Sequence, residues 1–170
     1  MATIALIGAG GKMGCRITDN MVKSDHTVHY VETGEAGVAN LKKRGVNVTP
    51  QAEAVAKADV VVLAVPDVVI GKVSHSVTPQ MKPGALLMTL DPAAPLDGQL
   101  CRRDDIGYFI AHPCHPSIFN WEPTEQATRD FYGGISAKQA IVCALMSGDE
   151  KYYPLGEQIA REMYAPVSKS

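Results

Sequence analysis

The sequence predicts a protein of the α/β class, built on a doubly wound and mostly parallel sheet. The chain opens with an apolar strand, residues 3–7, which runs through a glycine turn straight into a helix. An uninterrupted apolar run at 60–65 is rich in valine, which is typical of a strand buried on both faces of a parallel sheet. Strand-like and helix-like stretches then alternate regularly, so we expect helices on both faces of the sheet, as in Rossmann-type folds.

Apolar periodicity, together with proline and glycine breaks, places each element in turn. Pro50 precedes a short helix, Pro66 ends the valine-rich strand, and Gly148 introduces the last helix. We expect strands at 3–7, 27–32, 46–49, 60–65, 85–90, 108–111 and 141–146. We expect helices at 12–23, 36–44, 52–57, 67–77 and 150–163.

The segment 113–138 has no clear period and is longer than most loops of compact domains. We expect it to be a lid on the substrate side or a subunit contact, with a passive surface excursion as the alternative. Its aromatic residues and paired glycines are Phe119, Trp121, Phe131, Tyr132, Gly133 and Gly134.

Length and composition indicate one globular domain spanning residues 1–170. Sixteen basic and eighteen acidic residues give a net charge of −2, which provides no basic field for nucleic acid or anionic lipid. No apolar run approaches about twenty residues, so we expect neither a membrane span nor a secretion signal. The cysteines are widely spaced and form no C-x-x-C pair, as expected for reduced thiols in a cytoplasmic protein.

The glycines that follow the first strand have the spacing of a dinucleotide-binding turn. Gly8 permits a tight turn, and the missing Cβ at Gly10 or Gly11 permits the backbone to approach a pyrophosphate. Gly14 permits the helix to pack on the strand, so that the helix N-terminus faces the anion. The cofactor-binding residues predicted in this turn are Gly8, Gly10, Gly11, Lys12, Met13 and Gly14.

Glu32 indicates which dinucleotide is bound. It lies eighteen residues beyond Gly14, at the end of the second strand, where a carboxylate can accept both ribose hydroxyls of an adenosine. The same carboxylate would repel a 2′-phosphate, and the next residues, Thr33 and Gly34, are not the arginine that NADP sites use. The cations at 42–44 are interpreted as a solvated helix end, with a phosphate clamp as the alternative. NAD is therefore the expected cofactor.

Loops that follow central strands reach the same edge of the sheet. Val65, Pro66 and Asp67 are expected to pass close to the cofactor, with a helix N-cap as the alternative role of Asp67. Asp91 follows the fifth strand, and His112 is expected to be the first residue beyond the sixth. An imidazole there can take the proton of a substrate hydroxyl. A structural histidine and a turn carboxylate are the alternatives to these two catalytic roles.

Cys114 and His115 follow His112 in a proline-bounded loop. The H-x-C-H spacing is not usual for zinc, and no motif indicates the acyl chemistry that a nucleophilic cysteine would serve. The predicted site therefore includes no metal ligand, with a metal centre and a direct role of His115 as open alternatives.

Several segments resemble known families. The glycine turn together with 58–67 is similar to the cofactor domain of the 6-phosphogluconate and 3-hydroxyacid dehydrogenase superfamily, and the His112-Pro113 step resembles that of prephenate dehydrogenases. The closer resemblance is to the D-apionate oxidoisomerase family, and it covers nearly all 170 residues. The segments that carry it are Leu90–Pro95, Tyr108–Pro116, Phe119-Asn120 and Gly133–Gly148.

This resemblance implies an NAD-dependent enzyme that oxidises a CH–OH group of a small branched sugar acid and couples the oxidation to a rearrangement. A divalent metal would polarise the substrate oxygens in the second step, although no residue pattern indicates one. The family continues into a helical carboxyl-terminal domain that these residues lack, and Asp91–Pro95 replaces the usual serine-containing loop. We therefore expect the cofactor domain of a longer, homodimeric enzyme. A non-catalytic NAD-binding module, or a truncated 3-hydroxyacid or prephenate dehydrogenase-like protein, is the alternative.

Overall fold

The computed structural model describes residues 1–116, 121–130 and 135–170, and within them one seven-stranded sheet has the order β2-β1-β3-β4-β5-β6-β7. The strands are β1 Thr3–Ile7, β2 Thr27–Val31, β3 Val60–Leu63, β4 Leu86–Thr89, β5 Gly107–Cys114, β6 Gln139–Ser147 and β7 Val167–Lys169. The helices are α1 Lys12–Met21, α2 Glu35–Lys43, α3 Gln51–Lys57, α4 Asp67–Val77, α5 Ala93–Leu96, α6 Glu125–Thr128 and α7 Tyr152–Met163.

The sheet is parallel from β2 to β5, β6 runs antiparallel to β5, and β7 pairs with β6 in parallel. Helices cover both faces. One buried cluster joins the sheet to α1, α2 and α7, and a second joins it to α3, α4 and α5. Because β3 lies between these layers, its side chains Val60–Leu63 are fully buried, as its continuous apolar run predicts. The predicted doubly wound α/β class is confirmed.

The expected strand at 46–49 is wrong. That segment makes one isolated bridge, between Val48 and Tyr30 of the edge strand β2. Its backbone contact with β2 is the hydrogen bond from Thr49 N–H to the carbonyl oxygen of Tyr30 at 2.8 Å, after which Pro50 leads into α3 at Gln51. The seventh strand is instead β7, which the sequence pattern did not indicate.

The strand β5 is longer than expected at its carboxyl end, and the placement of His112 as the first residue beyond it is wrong. Parallel pairing with β4 stops at Ile110. Antiparallel pairing with β6 continues for four more residues, through His112 opposite Val142 to Cys114 opposite Ala140. The hydrogen-bonding partners that β6 provides therefore hold His112 inside a strand that projects past its other neighbour.

The described part of the segment 113–138 is anchored to α1. The carboxylate of Asp130 accepts hydrogen bonds from the backbone N–H groups of Ile135, Ser136 and Ala137 and pairs with Arg16 at 3.1 Å. Burial alone would raise the pKa of Asp130, but these backbone donors and Arg16 outweigh it and hold that pKa below its usual value. The residues predicted to matter here that lie outside the described part are Phe119, Asn120, Phe131, Tyr132, Gly133 and Gly134.

In the described ranges, no helix has the length and apolar character needed to cross a membrane.

One buried hydrogen bond ties the end of α7 to the strand that carries His112. The Tyr164 hydroxyl, which is buried, donates to the carbonyl of Ala111 at 3.0 Å. Burial also raises the pKa of Tyr164 far above its ordinary value, so the hydroxyl remains a donor throughout the working range of pH.

We expect Tyr164→Phe to lower the free energy of unfolding by about 1 kcal/mol, because it removes a buried hydrogen bond while keeping the ring. For a domain of this size that corresponds to a melting temperature lower by ~2–4 °C. Tyr153→Phe is the matched control, since the Tyr153 side chain is 38% exposed. Equal melting temperatures for Tyr164→Phe and the parent chain would contradict this role.

Candidate functional site

The glycine turn between β1 and α1 is a tight backbone crossing. Gly8 has φ +78°, and a Cβ there would lie 2.6 Å from the carbonyl oxygen of Ala64. A Cβ at Gly14 would lie 2.0 Å from the carbonyl oxygen of Gly8. Both positions therefore require glycine for reasons internal to the fold, namely the turn itself and the close packing of α1 on it.

The structure separates the roles of the two central glycines. A Cβ at Gly10 would lie 2.2 Å from the carbonyl oxygen of Gly37 in α2, so Gly10 is required by packing inside the protein. A Cβ at Gly11 would meet only Gly8 and Ala64 carbonyl oxygens, at 3.3 and 3.9 Å. Gly11 is exposed and lines the cleft, so it is the position at which the backbone can approach a ligand closely.

The N-terminus of α1 is well suited to an anion. The helix begins at Lys12 after the cap residue Gly11, which offers no side-chain cap, and its first turn has no acidic residue. The uncapped N–H groups and the positive end of the helix dipole therefore lie beside the exposed backbone of Gly11. The ammonium group of Lys12 adds positive charge at the same edge of the cleft.

Glu32 is the first residue after β2 and is held by three backbone donors. Its Oε2 atom accepts a hydrogen bond from Gly10 N–H at 3.0 Å. Its Oε1 atom accepts from Thr33 N–H at 2.8 Å and from Gly34 N–H at 2.9 Å. A carboxylate has about four lone-pair positions, so roughly one remains, on Oε2, for a ligand hydroxyl. The carboxylate thus lies against the glycine turn.

A cleft of about 440 Å³ opens at the carboxyl edge of the sheet. Its walls are the glycine turn, the loops that follow β3 and β4, and the projecting end of β5. The lining residues are Gly11, Lys12, Met13, Ala64, Val65, Pro66, Asp67, Leu90, Asp91, His112, Pro113 and His115. The cleft therefore brings together both predicted catalytic residues and most of the predicted cofactor residues. The remaining predicted residues are Gly8, Gly10 and Gly14, which shape the turn, and Glu32, beside it.

The imidazole of His112 is held in one tautomer. Its Nδ1 atom lies 2.9 Å from the carbonyl oxygen of Leu90. A carbonyl oxygen can only accept, so in the neutral ring Nδ1 carries the proton and Nε2 keeps its lone pair. The His112 side chain is 44% exposed, which leaves it accessible to a substrate. The geometry therefore gives Nε2 the form that a general base needs.

Asp91 has a structural contact and lies close to His112. Its Oδ1 atom accepts a hydrogen bond from Ala93 N–H at 2.7 Å, which is a turn contact at the start of α5. Its Oδ2 atom lies 3.7 Å from His112 Nδ1, too far for a hydrogen bond but within ion-pair distance of the ring. The turn role is thus observed, and an electrostatic role toward His112 is available.

His115 lines the cleft, whereas Cys114 is exposed and does not line it. Across the described ranges, no group of three or more histidine, cysteine, aspartate or glutamate side chains is placed to hold a metal ion.

Sequence reasoning missed three groups at this site. They are the Leu90 carbonyl that orients His112, and Gly37 and Asn40 of α2, which contact the glycine turn. A backbone carbonyl has no sequence signal. Gly37 did have one, since a glycine inside a helix is unfavourable and indicates close packing or function.

Comparisons with known proteins fit this geometry. Residues 3–90 match the family described as NADP oxidoreductase, coenzyme F420-dependent, and residues 120–170 match the C-terminal family of decarboxylating phosphogluconate dehydrogenase. A D-apionate oxidoisomerase of Cupriavidus necator is 50% identical over 98% of this chain and 61% of its own length. A D-apionate oxidoisomerase of Rhizobium rhizogenes is 50% identical over 100% of this chain and 62% of its own length.

A solved structure is also similar. A semialdehyde dehydrogenase NAD-binding protein from Cupriavidus necator, in complex with calcium and NAD, superposes with a TM-score of 0.95 at 49% identity. The match covers 100% of this chain and 62% of that protein. The chain therefore spans about three-fifths of the length of these relatives.

The tautomer of His112 can be tested directly. We expect the neutral His112 ring to carry its proton on Nδ1, because Leu90 offers only an acceptor. The ¹⁵N chemical shifts of the two ring nitrogens, measured above the pH of ring protonation, report this, with the exposed His75 on α4 as the comparison. A neutral His112 ring protonated mainly on Nε2 would contradict the geometry.

Proposed function

This chain belongs to the family described as NADP oxidoreductase, coenzyme F420-dependent, which matches residues 3–90, and to the D-apionate oxidoisomerase family; we propose that it is the cofactor domain of an NAD-dependent oxidoreductase. We propose a small branched sugar acid as the substrate of the whole protein, with oxidation of a CH–OH group coupled to rearrangement. The observation that carries the proposal is the cleft that places His112 beside the glycine turn.

The residues present fit a bound dinucleotide. Gly11 leaves open the space that a Cβ would occupy, and the uncapped start of α1 lies next to it, so this pair would receive the pyrophosphate. Glu32 would accept a hydroxyl of the adenosine ribose. The relative from Cupriavidus necator was solved with NAD, whereas the matching family description names NADP. The fixed carboxylate of Glu32 favours NAD, because it would repel a 2′-phosphate.

Bound NAD would supply the hydride acceptor. His112 Nε2 would take the proton of the substrate hydroxyl while the carbon that bears this hydroxyl gives a hydride to NAD, so that the alcohol becomes a carbonyl. Leu90 would hold the Nδ1 proton in place during this transfer, through the 2.9 Å contact. Asp91, at 3.7 Å from Nδ1, would stabilise the imidazolium that forms. Calcium accompanies NAD in the relative's structure; among the described residues of this chain, no three histidine, cysteine, aspartate or glutamate side chains are grouped to hold a metal.

The cofactor preference is measurable on the chain itself. We expect NADH to bind at least about tenfold more tightly than NADPH, a difference of about 1.4 kcal/mol. Glu32→Ala should bring the two dissociation constants closer together, because it removes both the repulsion of the 2′-phosphate of NADPH and the contact with the ribose hydroxyl of NADH. Fluorescence titration with each nucleotide gives both dissociation constants. Tighter binding of NADPH to the parent chain would contradict the assignment of Glu32.

The position of the pyrophosphate is tested at Gly11. We expect Gly11→Val to abolish NADH binding without unfolding the domain, because a branched side chain would fill the open space while φ −71° suits any residue. Gly11→Ala, with a single methyl group, should weaken binding less. Circular dichroism serves as the folding control. Normal NADH affinity in a folded Gly11→Val protein would place the nucleotide elsewhere.

The catalytic base is tested in the full-length protein, by following NADH formation over a set of sugar acids. We expect His112→Asn to lower turnover by about a hundredfold or more while leaving NAD affinity nearly unchanged. His115→Asn should be less damaging, and His75→Asn, an exposed histidine on α4, is the neutral control. A larger loss with His115→Asn would reverse the assignment. Dinucleotide binding with no turnover on any sugar acid would favour a non-catalytic binding module.

A further inference from the structure

The first turns of α2 pack unusually closely on the glycine turn. Asn40 donates a hydrogen bond from its side-chain amide to the carbonyl oxygen of Gly10 at 3.0 Å. The carbonyl of Gly37 lies so near Gly10 that a Cβ there would approach it to 2.2 Å. The glycine turn therefore has a neighbour on each side: the loop after β3 at Gly8, and α2 at Gly10.

The same helix confines the carboxylate of Glu32. A Cβ built on Gly37 would lie 2.5 Å from Glu32 Cδ and 2.6 Å from Glu32 Oε2. Glu32 thus occupies the space that any larger residue at position 37 would need. On its other side, Glu32 Oε2 accepts the hydrogen bond from Gly10 N–H. The carboxylate is enclosed between the glycine turn and α2, with backbone donors on both oxygens.

We propose that Gly37 and Asn40 are positioning residues for nucleotide specificity, a proposal that rests on the NAD-binding function given above. Gly37 provides the space in which the Glu32 carboxylate faces the adenosine ribose, and Asn40 fixes the carbonyl of Gly10 so that the turn presents Gly11 to the pyrophosphate. The preference for NAD then depends on both the charge of Glu32 and its fixed position. A carboxylate free to rotate would move away from a 2′-phosphate and discriminate less.

The two residues predict different binding signatures. Gly37→Ala displaces Glu32, which is the flexible partner in that contact, so NADH affinity should fall about tenfold while NADPH affinity changes less than about twofold. Asn40→Ala removes the hydrogen bond to the carbonyl of Gly10, so both nucleotides should bind about threefold more weakly. The ratio of their dissociation constants should stay unchanged. Val38→Ala is the matched control on α2, since Val38 is 38% exposed and should change neither constant.

A double-mutant cycle on the 170-residue chain tests whether Gly37 acts through Glu32. Fluorescence titrations with NADH and NADPH are made on the parent chain, Glu32→Ala, Gly37→Ala and the double variant, with thermal melts as the folding control. If Gly37 positions Glu32, the double variant should bind NADH as Glu32→Ala alone does, because no carboxylate remains to be displaced.

Three results would overturn this inference. The first is an unchanged ratio of the NADH and NADPH dissociation constants in Gly37→Ala. The second is a loss of NADH affinity in the double variant that equals the sum of the two single losses in free energy. The third is nucleotide affinities for Asn40→Ala equal to those of the parent chain. A melting temperature that falls while both affinities stay at the parent values would likewise show a merely structural role. Failure of the parent chain to bind either nucleotide would instead refute the proposed function, so the two failures are distinguishable.

Discussion

Backbone packing at the glycine turn is the constraint on which the site depends. Three parts of the chain pack closely there: α1 at Gly14, the loop after β3 at Gly8, and α2 at Gly10. Each contact is closer than a Cβ would allow. Because these contacts fix the backbone of the turn, its exposed glycine, Gly11, has a fixed position at the edge of the sheet. The candidate pyrophosphate position follows from that packing and from the start of α1.

A second constraint places the candidate base across the cleft from the turn. The antiparallel strand β6 prolongs β5 past the point where β4 ends, so His112 lies on a strand that is hydrogen-bonded on one side and borders the cleft on the other. The carbonyl of Leu90, in the loop after β4, then accepts from the ring. Because β5 extends further than β4 at the carboxyl edge of the sheet, β5 supplies His112 and the loop after β4 supplies the Leu90 carbonyl that orients it. The hydroxyl of Tyr164 holds Ala111, the residue next to His112.

Much of this arrangement could be predicted from residue patterns, because those patterns reflect local physics. The continuous valine run of β3, the glycine spacing and the acidic end of β2 each encode burial or backbone geometry that needs no knowledge of distant contacts. The errors have a common origin in pairing between segments far apart in the chain. The length of β5 is set by β6, the edge segment at 46–49 finds only one partner in β2, and β7 is a short strand that forms at the start of β6. The contact of Asn40 with the glycine turn likewise depends on how α2 packs, which no local pattern specifies, whereas Gly37 carried a local signal as a glycine inside a helix.

The proposed function requires a dinucleotide to lie across the glycine turn with its reactive end toward His112. This position can be mapped from the amide chemical shifts of the ¹⁵N-labelled chain during titration with NADH. The residues whose shifts change should cluster at Gly11–Gly14, at Glu32–Gly34 and around His112. Perturbations centred instead on another surface cavity, for example the one of about 460 Å³ bordered by Lys23, His26 and Glu162, would contradict this position.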